Sequence, residues 1–299
     1  MLQNARRAIA IALVLAPWSA HAAQPDLQLK KSSSWNVDYA EDRCRLMRQF
    51  GDGNDKVYAI FDRYGPGERF RLTIAGKPTQ TSVETGEATI QFGPNESEQK
   101  LNFYQGELGE LPALLFQAQA RLAPPSAAEQ PLIDNRKDGE WIDLAPIDQI
   151  REAAIQTLTI GKPLRRTVVL EIGPMRKPFE ALGKCVDDLM TSWGIDTEKH
   201  KQLMRPVKPL KSPGTWVVSS DYPRNMLSAG QPAIVEFRLS IGTDGIPVSC
   251  HIQATTRPKE FDDAVCGSLM RRARFEPALD AQGQPLNSFY RNTVRFALP

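Results

Sequence analysis

The chain has 299 residues, of which 41% are hydrophobic and 24% are charged. It is longer than one ordinary domain of roughly 150 residues, and it is too apolar for a disordered chain. Its 37 basic and 35 acidic residues almost balance. This composition therefore disfavours nucleic acid and an anionic membrane surface as partners.

The first 22 residues have the pattern of a secretory signal peptide. Arg6 and Arg7 precede an apolar run over 8–16, and Ala20 and Ala22 form a small-residue cleavage site. The alternative is an uncleaved membrane anchor, which needs about 20 apolar residues. Because this run is interrupted much earlier, we predict cleavage after Ala22, a periplasmic protein and no direct membrane span after processing.

The mature chain keeps four cysteines, at positions 44, 185, 250 and 266. In an exported chain an even number of cysteines is interpreted first as disulfides. A zinc site is the weaker interpretation, since there is no C-x-x-C pair and only His200 and His251 follow the signal peptide. We predict no metal and no cofactor.

Residues 23–204 predict an N-terminal α+β domain of short antiparallel strands and helices, with no function assigned. The segments 57–64, 70–74 and 88–92 are typical of half-buried strands, and the β-branched run 167–172 is typical of a buried strand. Helical spacing predicts helices over 147–158 and 179–193.

A Pro-rich and basic stretch at 205–214 predicts a linker, which places a second domain at 215–299. Another Pro-rich stretch, at 122–126, is predicted as a loop inside the first domain.

Four cysteines allow three connectivities. Cys185 falls on the apolar stripe of its predicted helix, and Cys44 lies in the segment 43–50, which we predict as a strand with Cys44 directed inward. Keeping each bridge within one domain favours Cys44 with Cys185 and Cys250 with Cys266.

The clearest pattern lies in the last 85 or so residues. Over 233–241 every second residue is apolar, which predicts a strand with one buried face. Asp244 and Gly245 predict a hairpin turn, and a second strand carries Cys250 toward the same layer. A helix with Phe261 and Val265 on its apolar stripe follows, so that Cys266 and Cys250 meet between helix and sheet.

A set of motifs in this order resembles the C-terminal domain of the TonB family of energy transducers over about 80 residues. The order of the elements counts for more than any one motif. The motif residues are Tyr222, Pro223, Arg274, Phe275, Pro277 and Ala278.

The resemblance implies a small ββαβ module that binds short extended segments of outer-membrane receptors by taking them into its sheet as an added strand. Physically, a final strand leaves an edge of unpaired N–H and C=O groups that an extended peptide satisfies. The expected edge strand consists of Ser288, Phe289, Tyr290, Arg291, Asn292, Thr293, Val294, Arg295 and Phe296.

The resemblance also has departures. The family's transducers have an uncleaved anchor and a long Pro-rich spacer that reach inner-membrane motor components. The predicted linker here has ten residues, which reach about 30 Å at about 3.1 Å each. Thr255 to Pro258 replaces the family's usual Ser-Gly before the helix. Coupling to the motor therefore requires another protein to hold the N-terminal domain.

Residue patterns for catalysis are sparse. Nucleophilic catalysis needs a base such as histidine beside a serine or cysteine, and there is no G-x-S-x-G motif. Ser97 and Lys100 fit an S-x-x-K spacing in a polar stretch that gives lysine no desolvation. We predict a binding protein and no enzyme; an envelope hydrolase or a structural envelope protein, which uses the module only for localisation, is the alternative.

Two histidines and four tryptophans have structural interpretations. His200 is expected in an exposed turn and His251 on the outward face of its strand. Core anchoring is expected for the tryptophans, with a glycan surface as the open alternative; they are Trp35, Trp141, Trp193 and Trp216.

Overall fold

The computed structural model describes residues 26–116, 120–135, 144–256 and 258–298. The predicted signal peptide and Trp141 lie outside these residues. The described chain is a mixed α+β protein with a large curled sheet and few helices, so the predicted α+β class is confirmed.

Ten strands form the first sheet, in the spatial order β1-β10-β9-β6-β7-β8-β5-β4-β3-β2. Most neighbouring strands in this sheet are antiparallel, but β1 and β10 are parallel. The strands are β1 Leu27–Leu29, β2 Asn36–Tyr39, β3 Cys44–Phe50, β4 Val57–Arg63, β5 Arg71–Ala75, β6 Thr85–Phe92, β7 Gln99–Leu108, β8 Leu111–Phe116, β9 Leu158–Ile160 and β10 Val168–Leu170.

Main-chain bonds join one end of this sheet to a strand near its other end. The chain that follows β1 pairs with the end of β3 through a Lys31 to Phe50 bridge. Ser32 N donates to Gln49 O at 2.9 Å, and Gly51 N donates to Lys30 O at 2.9 Å. These bonds attach the β1 end of the curled sheet to the end of β3, so that the sheet curls back on itself.

Four helices accompany the first sheet: α1 Gln130–Asp134, α2 Gln149–Ala154, α3 Arg176–Ser192 and α4 Thr197–His200. Helix α3 is the long one, and it buries Phe179, Leu182, Cys185 and Leu189 in the same core as the strands. The Phe179 ring packs edge-on against Phe61 at 5.8 Å between ring centroids. Burial of such aromatic surface is the main stabilising term in this core.

Cys185 on α3 is bonded to Cys44 at the start of β3, with an S–S distance of 2.03 Å and a Cα–Cα distance of 5.9 Å. The disulfide fastens the helix to the end of the sheet.

The predicted helix over 147–158 is wrong in its second half. Helix α2 ends at Ala154, and Leu158 begins strand β9. Leu158 and Ile160 are fully buried and pair with strands on both sides. The two-residue alternation of these side chains, which fits a sheet between β6 and β10, overrides the helical spacing of the preceding residues.

The second sheet has three strands in the order β13-β12-β17 and its own hydrophobic core. Helix α6 packs on it and buries Phe261, Val265 and Leu269. The elements of this region are β11 Lys208–Pro209, α5 Arg224–Ser228, β12 Ala233–Ile241, β13 Pro247–Thr255, α6 Lys259–Arg272, β14 Phe275–Glu276, β15 Ala278–Leu279, β16 Pro285–Leu286 and β17 Ser288–Phe296.

The hairpin between β12 and β13 depends on a glycine. Gly245 has a φ of 76°, and a Cβ atom there would lie 2.0 Å from the Phe275 carbonyl oxygen. Both the backbone conformation and the close approach therefore require glycine. Phe275 N donates to Gly245 O at 3.0 Å, which holds the turn against β14.

Cys250 on β13 is bonded to Cys266 on α6, with a Cα–Cα distance of 5.6 Å. The stretch predicted as a linker is in contact with this region: β11 pairs with β14, and Leu210 N donates to Arg274 O at 2.9 Å.

Candidate functional site

Strand β17 forms one border of the three-stranded sheet. It pairs with β12 over its whole length, from Ala233 opposite Phe296 to Ile241 opposite Ser288. Within the described residues no strand pairs with its other side. The strand has the bounds expected from the sequence, and its outer border is free of main-chain partners in that part of the chain.

The alternating direction of the hydrogen bonds along β12 shows which main-chain groups of β17 face the outer border. Ile234 directs both of its groups toward β13: its N–H donates to Thr256 Oγ1 at 3.1 Å, and its C=O accepts from Thr256 N at 3.2 Å. Successive residues of a strand point in opposite directions, so the odd-numbered residues of β12 bond to β17. In the observed register, the groups directed outward belong to Phe289, Arg291, Thr293 and Arg295.

The side chains of β17 divide between two faces. Ser288, Tyr290 and Phe296 are buried on the face that carries the core of the region. Tyr290 packs on Phe275 with 5.0 Å between ring centroids, and Phe296 packs on Phe261 at 4.9 Å. The even-numbered residues therefore dock on the helix side, a point that the sequence left open.

The residues of this region match a known family. Residues 218–298 match the family described as Gram-negative bacterial TonB protein C-terminal. The chain carries a TonB C-terminal domain. No curated protein was found to match the chain. The family is associated with the cell envelope and with transport, and its C-terminal domain is a non-catalytic interaction domain.

The motif residues of the TonB C-terminal domain lie around the strand and hold its buried side chains. The Tyr222 ring packs on Phe296 at 5.2 Å between centroids, and its hydroxyl donates to Gln231 O at 2.5 Å. Phe275 packs between Trp216 and Tyr290. The other motif residues lie at turns and strand ends: Pro223 precedes α5, Arg274 and Pro277 flank β14, and Ala278 begins β15.

The end of helix α6 is tied to the start of the domain. Arg272 donates to Asp221 Oδ1 at 3.1 Å and to Trp216 O at 2.8 Å. Hydrogen bonds from Arg272 are the main cause that lowers the pKa of Asp221 to about 2. This contact keeps the segment before β12 on the core side of the sheet.

The opposite face of the TonB C-terminal domain packs on the first domain. Glu236 of β12 forms an ion pair with Arg71 of β5. Arg291 Nε donates to Gln253 Oε1 at 2.9 Å, and its guanidinium lies 5.6 Å from the centre of the Tyr64 ring. Burial at this contact lowers the pKa of Arg291 to about 10.

Arg238, on the same face, is buried beneath the end of α3. Its guanidinium stacks over the Trp193 ring at 4.0 Å and donates to Ser240 Oγ at 3.0 Å. Burial lowers the pKa of Arg238. A cavity of about 350 Å³ opens beside it, lined by Glu41, Asp42, Ser192, Trp193, Arg238, Ser240, Ser249 and His251.

The expectation for His200 is wrong. The side chain is half-buried: its Nε2 lies 3.0 Å from Ser288 Oγ, and its ring stacks on Phe289 at 5.4 Å between centroids. Its neighbours in sequence are charged or polar, so no apolar pattern marks it. The contact exists because two regions 88 residues apart meet in the fold.

The other residues considered for chemistry are dispersed. His251 is exposed, as expected. Lys100 has a 69% exposed side chain and lies 3.8 Å from Glu87. Within the described residues no three metal-ligating side chains cluster, and no helix has the length and apolar character to span a membrane.

Proposed function

We propose that the chain is a periplasmic TonB-like protein that acts by binding, and that its C-terminal domain binds segments of outer-membrane receptors as an added strand on β17, in transport across the cell envelope. The observation that carries the proposal is the border of β17. There Phe289, Arg291, Thr293 and Arg295 direct main-chain groups away from β12.

A long strand with one unpaired side is a ready template for an extended backbone. Thr293 and Arg295 are exposed, so this part of the border is accessible from solvent. Thr293 N donates to the neighbouring Asn292 Oδ1 at 2.8 Å. A local side-chain bond of this kind blunts the edge in the free protein, and a partner carbonyl replaces it at little net cost because one hydrogen bond is exchanged for another.

The location of the protein is part of the proposal. The N-terminal pattern of a signal peptide and the two disulfides support export to an oxidising compartment. The ten-stranded domain, joined to the receptor-binding domain through the short segment around β11, would serve as a scaffold or a second binding surface. Force from inner-membrane motor components would reach this chain through a protein that holds that domain.

The test uses the full mature chain and a synthetic extended peptide from an outer-membrane receptor. Replacement of Thr293 by proline removes an outward N–H and places the ring at the border, while the bonds between β12 and β17 stay intact. We expect T293P to weaken peptide binding at least about tenfold, which is about 1.4 kcal/mol. Isothermal titration calorimetry measures this change.

T293A is the matched control, because it removes the same side chain and keeps the N–H. It should bind like the unchanged chain. Wild-type affinity in T293P, or a failure of every receptor peptide to slow amide exchange anywhere in β17, would refute strand addition at this border.

A further inference from the structure

The two halves of the β17 border have different surroundings. Beyond Asn292, the odd-numbered side chains Thr293 and Arg295 are exposed. Before it, Phe289 and Arg291 contact the ten-stranded domain. The backbone at Gly65 comes so close that a Cβ atom there would lie 3.0 Å from Arg291 Nη1 and 3.7 Å from Phe289 Cε2.

His200 sits at the beginning of β17. One imidazole contacts two successive residues whose side chains leave opposite faces of the strand: it bonds to the Ser288 hydroxyl and stacks on the Phe289 ring. On the inner side of the strand, Ser288 is already paired with Ile241 of β12. The His200 imidazole, which contacts side chains on both faces, therefore lies either beside the outer border of β17 or at its first residue.

Trp193 lies against the Phe289 ring on the side that faces β12. It contacts Phe289 at 5.5 Å between centroids, and the Arg238 guanidinium of β12 stacks on it. Because Trp193 lies over the β12 side of Phe289, His200 is left with the side toward the border. This is the space that the side chain of a partner residue opposite Phe289 would need.

The corner that carries His200 is held firmly. Ile195 N donates to Met190 O at 3.1 Å, and Asp196 caps α4 by accepting from Lys199 N at 3.1 Å. Lys201 Nζ lies 2.8 Å from Asp187 Oδ2 of α3. A peptide would have to displace a capped helix turn to pair with Phe289.

We infer that the corner formed by Trp193 and His200 closes the first part of the β17 border, so that a partner strand pairs at Arg291, Thr293 and Arg295 and stops before Phe289. The inference rests on the proposed function and deepens it. The N-terminal domain thereby fixes the position of the partner strand, and the partner is a short extended segment of about five residues whose chain ends or turns away at the corner.

The experiment measures amide hydrogen exchange by NMR on the mature chain, with and without the receptor peptide. Added peptide should slow exchange at Arg291, Thr293 and Arg295 at least about tenfold, and it should leave Phe289 unchanged. Peptide-dependent slowing at Phe289 of the unchanged chain overturns the inference and leaves strand addition standing. No slowing in any part of the strand refutes the proposed function itself.

A pair of variants tests the role of His200. H200A opens the corner, so added peptide should now slow exchange at Phe289, and a peptide extended past the corner should bind at least about threefold more tightly than it binds the unchanged chain. H251A is the matched control, since His251 is an exposed histidine on the far strand, β13, and it should change neither property. If added peptide still does not slow amide exchange at Phe289 in H200A, the positioning role of His200 is refuted. The exchange pattern of the unchanged chain tests the inference even if H200A does not fold.

Discussion

The ten-stranded sheet and the three-stranded sheet end in different ways. In the first, the chain after β1 bonds to the end of β3, where Lys31 bridges to Phe50 and Ser32 bonds to Gln49, and the four-residue strand β2 is left as the end strand. The second keeps strand β17 at a border that no strand of the described chain covers. Since a long open edge invites unwanted pairing, proteins keep one where a partner uses it. The contrast supports the proposed binding role of the second sheet.

The disulfides of the two regions differ in the length of the loop that each one closes. Cys44 and Cys185 are 141 positions apart and join the start of β3 to α3, whereas Cys250 and Cys266 are 16 positions apart within one layer. A bridge that closes a longer loop removes more entropy from the unfolded chain. The first bridge should therefore contribute the larger share to the free energy of unfolding.

The largest expected effect comes from removing these bridges. We expect the double variant C44S/C185S to lose about 5 kcal/mol of unfolding free energy and C250S/C266S to lose about 3 kcal/mol. Urea unfolding of the oxidised chain and of both variants checks this order. Equal losses, or a larger loss for the C-terminal pair, would contradict the loop-length account of the two bridges.

The longest elements of the TonB C-terminal domain were predictable because their sequence patterns are local. Apolar residues alternate along β12, Asp244 and Gly245 mark the turn, and the strand predicted at 288–296 is β17. Strand β7 was not predicted, although Leu101 and Phe103 alternate with Lys100 and Asn102, because polar residues dominate the stretch before it. The alternation of apolar and polar residues that marks β7 is present in the sequence, but it is short and weak.

The contact between the two domains lay beyond sequence reasoning. Arg238, Arg291 and Glu236 have the pattern of a solvated strand face, and the structure places that face against Trp193, Tyr64 and Arg71. Nothing local distinguishes a polar face that meets water from one that meets another domain. The same reason explains the wrong expectation for His200, whose partners are distant in sequence.

The Arg71 to Glu236 ion pair provides the next test, because it joins the ten-stranded sheet to the three-stranded sheet. Its side chains are 20% and 26% exposed, so water screens part of the attraction. We expect a double-mutant cycle of R71Q and E236Q to give a coupling energy of about 1 kcal/mol. Unfolding in urea at low and high salt measures it, and the coupling should shrink with salt. Strictly additive losses would show that the pair does not hold the domains together.

The smallest expected effect is a pH dependence at the corner. Burial lowers the pKa of His200 below its ordinary value of 6.5, so the folded chain prefers the neutral imidazole. As the pH falls through about 6.5, the unfolded chain takes up a proton before the folded chain does. Stability is therefore fully present above this pH and declines below it.

Protonation also favours release of His200 from Phe289 and Ser288, because the charged ring gains hydration outside the corner. Amide exchange at Phe289, followed from about pH 8 to about pH 5 after correction for the intrinsic rate, should show increased opening on the acidic side. H200Q keeps a polar group near Ser288 and removes the titration, so its corrected rate should stay level. If the unchanged chain and H200Q show parallel pH profiles, a group other than His200 controls the opening at Phe289. His200 would then not determine which part of the β17 border is open to a partner strand.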